Sequence, residues 1–119
     1  MSARGEAILN VNGKEIPILF TNRALLIAEK QIGQPIMGVI NAMSNMQISM
    51  GDLVALLRAG MEAARVDGRL GGKPYSNENA MDVIEELGLT TVLVPVVEAV
   101  SAVISYNGQA EPDNETSPN

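Results

Sequence analysis

The side chains that could do chemistry in this 119-residue chain are carboxylates, lysines, hydroxyls and tyrosines, because the sequence contains no Cys, His or Trp. Without Cys there is no thiolate nucleophile, and without His the commonest general base and metal ligand is absent. Glu85 and Glu86 are adjacent on a predicted helix, and adjacent helical residues do not face each other. Glu98 falls on the polar stripe of an otherwise apolar segment. We therefore expect a protein that is not an enzyme and that holds no metal and no cofactor.

A Gly-rich segment over residues 66–75, VDGRLGGKPY, has some features of a phosphate-binding loop. That loop requires a Gly, four further residues and then Gly-Lys-Ser/Thr, so that backbone N–H groups surround the phosphates. Here Lys73 is followed by Pro74, and Asp67 stands where the first Gly is required. The segment is therefore expected to be a connector.

Methionines form the cluster of greatest functional interest, since five of the seven lie between positions 37 and 61. Met is flexible and polarizable and is over-used on surfaces that bind several partners. In one interpretation, Met37, Met43 and Met61 belong to the core, and Met46 and Met50 only fill a loop. In the other, the two helices of this region form a groove for an apolar helix of another protein. The contact residues predicted by this second hypothesis are Met37, Ile40, Met43, Met46, Met50, Leu53 and Leu57.

The elements that would position these residues begin with a hairpin over residues 5–20. Asn12-Gly13 lies between two apolar-rich runs, and a type I′ turn needs positive φ at both central positions. A two-residue turn pairs Val11 with Lys14, and Pro17, which has no N–H to donate, is expected at an outer edge. The predicted apolar face consists of Ala7, Leu9, Val11, Ile16, Ile18 and Phe20. The opposite face carries Glu6, Ile8, Asn10, Glu15, Pro17 and Leu19.

Helical periodicity and capping residues predict helices over residues 24–32, 35–44, 50–65, 77–87 and 89–105. Gly60 costs the third helix about 1 kcal/mol relative to Ala, and a close approach by another element would account for it. The last segment is rich in Val, which favours a strand, but its polar residues recur every three or four positions, which favours a helix. A helix this apolar is either central to the fold or part of an oligomer interface.

The sequence thus predicts an α+β fold, mainly α, in which an N-terminal β-hairpin is followed by four or five short helices. Residues 1–106 are expected to form a single hairpin-plus-helices domain. Residues 107–119 are polar and acidic, and we expect them to form a disordered tail.

The composition of the chain limits the classes of partner that it is expected to bind. A net charge of −6 with only three aromatic residues argues against nucleic acid, whose binding depends on neutralising phosphates and stacking bases. The N-terminal segment does not resemble a signal peptide. The apolar stretch 89–104 is shorter than the about 20 residues that span a bilayer. We therefore expect no membrane association and a cytoplasmic protein.

Several short motifs occur in an order typical of one family. They are ARGE at 3–6, VNGK at 11–14, TNRALLIAEKQIGQP at 21–35, LVALLRAGM at 53–61 and SNENAMDVIEELGL at 76–89. In order, spacing and total length, residues 3–105 resemble the gene-transfer-agent type of phage tail assembly chaperone, a family formerly labelled as a tail tube protein. Pro95 and the Val-rich segment 92–100 depart from the family's pattern.

The resemblance implies a non-catalytic protein of the phage-infected or prophage-bearing bacterium. Such a chaperone binds the tape measure protein and keeps it soluble in the host cytoplasm while tail tube subunits polymerise around it. Tail tube subunits and a second copy of the chain are further candidate partners. Two alternative functions stay open, namely a structural tail component retained in the virion and a small regulatory protein-binding domain.

Overall fold

An antiparallel hairpin and five helices make up the described part of the chain, residues 4–110 of a computed structural model. This arrangement confirms the predicted α+β, mainly α, fold. The strands are β1 (Gly5–Val11) and β2 (Lys14–Phe20). The helices are α1 (Asn22–Ile32), α2 (Ile36–Ser44), α3 (Met50–Asp67), α4 (Asn77–Leu87) and α5 (Leu89–Ala110).

The hairpin has the register that the sequence predicts. Asn12 and Gly13 both have positive φ, as a type I′ turn requires. Val11 pairs with Lys14, and the ladder continues to Gly5 and Phe20. The side chains of Leu9, Ile16, Ile18 and Phe20 on the predicted inner face are buried. Leu19 belongs to the opposite face but is buried as well, because the end of β2 lies beside α1 and α3.

Side-chain caps fix the starts of three helices. The hydroxyls of Thr21, Ser49 and Ser76 each accept a hydrogen bond of 3.1 Å from the backbone N–H three residues later. Asn79 returns a hydrogen bond to the Ser76 N–H, which completes a capping box. Each cap satisfies a helical N–H that has no partner inside the helix.

Helix α2 begins without a side-chain cap from its own N-cap residue, Pro35. Instead, the Glu29 carboxylate of α1 accepts a hydrogen bond of 2.8 Å from the Ile36 N–H. A carboxylate at a helix N-terminus is also favoured by the helix dipole. This contact sets the direction in which α2 leaves α1.

Helix α3 lies at the centre of the fold and packs against β2, α1 and α4. Gly60 faces the Phe20 ring so closely that a Cβ built on it would lie 2.5 Å from the ring Cζ. The close approach predicted from the glycine's position is therefore confirmed. Gly5 makes a second such contact, since a Cβ there would overlap the backbone carbonyl of Ala99 in α5.

Helix α5 confirms the helical interpretation of the Val-rich segment. Its inward face is part of the core, and the buried residues are Val92, Leu93, Val96, Ala99, Val100 and Val103. Glu98 is exposed on the opposite face, as the spacing predicts. The helix continues to Ala110, whereas the sequence led us to expect a tail from residue 107. Each added helical residue gains a backbone hydrogen bond, which favours continuation; residues 111–119 lie outside the described chain.

One described helix, α5, is long and apolar enough to cross a membrane by length and composition, with a mean hydropathy of 1.8 over Leu89–Tyr106. The 22-residue helix is thus longer than the apolar stretch counted from the sequence. Its buried face packs against β1, α4 and α2. Insertion into a bilayer would separate this face from the core, so we interpret α5 as a core helix.

Candidate protein-binding surface

The structure divides the predicted methionine cluster into exposed and buried residues. Met37, Met46 and Met50 are 57%, 61% and 46% exposed, respectively. They lie on α2, in the loop after it and at the first residue of α3, and we call these three the methionine surface. Ile40 is partly buried against the core. These positions are accessible to a partner, as the binding hypothesis requires.

Met43, Leu53 and Leu57 belong to the core, with 1%, 0% and 0% of their surface exposed. Val39 and Met43 are four residues apart on the buried face of α2, while Leu53 and Leu57 lie on the buried face of α3. A fully buried side chain cannot contact a partner while the core stays closed. The prediction that these three bind a client is therefore corrected. The core interpretation holds for Met43 and Met61 but is wrong for Met37.

A surface groove that was not predicted lies between α1, the end of β2 and α3, with a volume of about 440 Å³. Its apolar lining consists of Leu19, Ala24, Ile27, Ala59, Ala63 and Val66. Its charged lining consists of Arg4, Arg23, Arg58, Glu62 and Asp67. We call it the arginine groove because three of the chain's eight basic residues line it.

A second groove of about 550 Å³ runs along the outer face of the hairpin, and we call it the hairpin groove. Its apolar lining consists of Ala7, Ile8, Pro17, Ile18, Leu19, Ala64 and Leu70. Leu19 and Asp67 line both grooves, so the two concavities adjoin. Together they form an apolar depression that crosses from the helices to the hairpin.

An ion-pair network ties the start of β1 to the end of α3 beside these grooves. Arg4 Nη2 lies 2.8 Å from Asp67 Oδ2 and 2.9 Å from Glu6 Oε2. The hydrogen bond from Arg4 lowers the pKa of Asp67, and both carboxylates raise the pKa of Arg4. All three side chains are well exposed, so solvent screening keeps the contribution of each pair to stability small.

Glu62 anchors the Gly-rich connector to α3. Arg65 donates two hydrogen bonds to its carboxylate, of 2.9 and 2.7 Å, and the Tyr75 N–H donates a third of 2.9 Å. The Arg65 guanidinium, followed by the Tyr75 N–H, lowers the pKa of Glu62 to about 2 against the opposing effect of burial. The three-residue spacing places Glu62 and Arg65 side by side on α3, whereas the contact with Tyr75 depends on the path of the connector.

Sequence reasoning missed the residues that line the grooves, although one signal was present. Ile8 and Leu19 are large apolar residues on the hairpin face opposite to the predicted apolar face. Ile27 is half exposed on α1, whose buried residues are Ala24, Leu25 and Ala28. Ile8 and Ile27 are exposed and so available for contact with another molecule, whereas Leu19 is buried.

Among residues 4–110, no group of three or more acidic, His or Cys side chains is arranged to hold a metal ion. The sequence matches no family model, and no curated protein and no solved structure is significantly similar to it. The assignment to tail assembly chaperones therefore stays a prediction from the motifs.

Proposed function

We propose that this chain is a non-catalytic tail assembly chaperone of a phage or prophage. Its client is the tape measure protein, which it keeps soluble in the bacterial cytoplasm until tail tube subunits assemble. The observation that supports this proposal best is the pair of adjoining grooves on the surface of the fold, both of which are largely apolar and have Leu19 in their lining. Apolar grooves of this kind bind the apolar faces of helices.

Two further properties fit a protein that holds an aggregation-prone client. The net charge of −6 favours solubility of a complex that buries apolar surface. The methionine surface offers flexible side chains that adapt to different apolar partners. Contacts of this type are individually modest, which allows the client to be released when tube subunits compete for it.

The alternative of a structural tail component is less well supported. Tube subunits build rings through extended sheets, whereas residues 4–110 contain a single two-stranded sheet. Pro17 pairs with Ile8 in that sheet, and it removes a donor from the outer edge of β2. A strand of another subunit would therefore find an incomplete edge there.

The proposal is tested by expressing the neighbouring tape measure protein with and without this chain, followed by size-exclusion chromatography of the soluble fraction. We expect the tape measure protein to be insoluble alone and to co-elute with the chaperone when both are present. A tape measure protein whose solubility does not depend on this chain would contradict the proposal. Detection of the chain in purified particles would instead favour the structural alternative.

A further inference from the structure

The arginine groove owes its shape to small residues on facing helices. Ala24 on α1 and Ala59 on α3 are buried at its base, and Ala63 extends the base along α3. Because alanine side chains end at Cβ, the two helices leave an open channel between them. Ile27 and Val66 are exposed at its sides. The groove therefore presents the apolar side chains of Ile27 and Val66 to solvent above a base of small residues.

Some of the charged side chains around the arginine groove are paired with an opposite charge, and others are not. Asp67 is paired with Arg4, and Glu62 is held by Arg65 and the Tyr75 N–H. Arg58 donates a hydrogen bond of 3.1 Å to the neutral Gln31 side chain, and Arg23 is exposed in the first turn of α1. The groove thus carries three arginines against two carboxylates in a chain whose net charge is −6.

We propose that the arginine groove is the principal client site, and that its occupant is one amphipathic helix whose apolar stripe is flanked by Asp or Glu residues. The apolar stripe fits the alanine base, and the flanking carboxylates pair with Arg23 and Arg58. This inference deepens the proposed function and rests on it. It places the main client contact on α1 and α3, whereas the sequence predicted a contact around the methionine surface.

Two other occupants fit the groove less well. Residues 111–119 carry three carboxylates but no Leu, Ile, Val, Met or aromatic residue to cover the apolar base. A second copy of this chain brings a net charge of −6 with it, which opposes close approach of the two chains. An amphipathic partner helix supplies both the apolar stripe and the acidic flanks.

The test uses two matched pairs of substitutions on α1. Ile27 and Leu26 are neighbours of nearly equal exposure, 48% and 49%, but only Ile27 lines the groove. Ile27→Glu is therefore compared with Leu26→Glu. In the same way, Arg23→Glu is compared with Lys30→Glu, which changes the net charge equally and lies outside the groove. All four positions are exposed, and circular dichroism melting checks that each variant folds.

The probe is a set of fluorescein-labelled overlapping peptides that cover the tape measure protein, with binding to the full chain measured by fluorescence anisotropy. We expect Ile27→Glu and Arg23→Glu to weaken binding about tenfold or more, since each places a carboxylate against the apolar stripe or the acidic flanks. Leu26→Glu and Lys30→Glu should bind within about twofold of the unaltered chain.

The outcomes separate the inference from the proposed function. If the unaltered chain neither binds any peptide nor solubilises the whole client, the proposed function fails. If it binds but both members of each pair behave alike, the inference fails and the proposed function stands. If Met37→Asp were the one variant to lose binding, the client site would be the methionine surface. The inference also fails if truncation after Ala110 strengthens peptide binding by the chain with Ile27 but not by the Ile27→Glu variant. It fails equally if the unaltered chain is a dimer and Ile27→Glu is a monomer.

Discussion

The Phe20 ring and the backbone of Gly60 are in direct contact, with no room for a side chain between β2 and α3. A Cβ built on Gly60 would lie 2.5 Å from Phe20 Cζ and 2.8 Å from Cε2. Phe20 is completely buried, so the ring cannot turn out into solvent. This contact joins the hairpin to the central helix, and thereby holds β2 and α3 in the arrangement that forms both grooves.

The contact predicts the effect of Gly60→Ala. In an exposed helix this change would stabilise by about 1 kcal/mol, but here the new methyl group overlaps a buried ring. We expect the free energy of unfolding to fall by about 1–3 kcal/mol. Gly51→Ala lies in the same helix, but its added Cβ would extend into open space, so this change is expected to be neutral or stabilising. Urea unfolding of both variants measures the difference, and equal effects would contradict the close contact.

A second close contact predicts that Gly5→Ala is more damaging. The atom in its way is the Ala99 carbonyl oxygen, which belongs to the backbone of α5 and cannot change rotamer. We expect a loss of at least about 2 kcal/mol in thermal or urea unfolding. Gly38→Ala in α2 meets no neighbouring atom and should not destabilise the fold. If Gly5→Ala were as stable as Gly38→Ala, β1 and α5 would have to be packed differently.

Burial of Met43 predicts different outcomes for two substitutions of α2. Met43→Asp places a carboxylate among buried side chains, so we expect loss of several kcal/mol or failure to fold. Met37→Asp lies on the exposed side of the same helix and should change the free energy of unfolding by about 0.5 kcal/mol or less. Denaturant unfolding followed by circular dichroism compares them. A folded, stable Met43→Asp variant would restore Met43 to the predicted binding surface.

Glu62 predicts a pH dependence of stability. Its pKa is 4.5 for the free side chain and about 2 in the fold, so between these values the unfolded state binds more protons. The stabilisation by Glu62 is therefore fully present above about pH 4.5 and is lost as the pH falls through about 2. Since the side chain is a quarter exposed, screening reduces the effect, and we expect Glu62→Gln to cost about 1–2 kcal/mol near neutral pH.

The control for this prediction is Glu85→Gln, which alters an exposed carboxylate of α4. Unfolding by urea at a series of pH values should show the deficit of Glu62→Gln shrinking towards zero below about pH 2. The Glu85→Gln variant should follow the unaltered chain throughout. A deficit of Glu62→Gln that is the same at every pH would show that shape, not charge, accounts for the role of Glu62.

Local features of this fold could be predicted from the sequence because their causes lie within a few residues. The Asn12-Gly13 turn determines the register of the hairpin, and the Ser49 and Ser76 hydroxyls mark the starts of α3 and α4. The position of Gly60 inside a helix also predicted a close contact, although the sequence did not identify Phe20 as the neighbour. In each case the residue type at that position is compatible with only a few local structures, so the structure could be predicted.

The binding surface could be predicted only in part, because it depends on which helix faces which. Helical spacing places Met37 and Met43, which are six residues apart, on different sides of α2, but it does not show which elements cover the side that carries Met43. The arginine groove brings Leu19, Ile27 and Ala63 together from three elements. Periodicity shows which side of a helix is apolar, but it does not show the space left between two helices.

Whether this chain is a chaperone is decided most directly by co-expressing the tape measure protein with the unaltered chain, Leu26→Glu and Ile27→Glu in parallel. The soluble client is quantified after size-exclusion chromatography. We expect the client to co-elute with the unaltered chain and with Leu26→Glu, and to become insoluble with Ile27→Glu. A client that stays insoluble in all three, or soluble without any of them, would contradict the central claim that this chain is its chaperone.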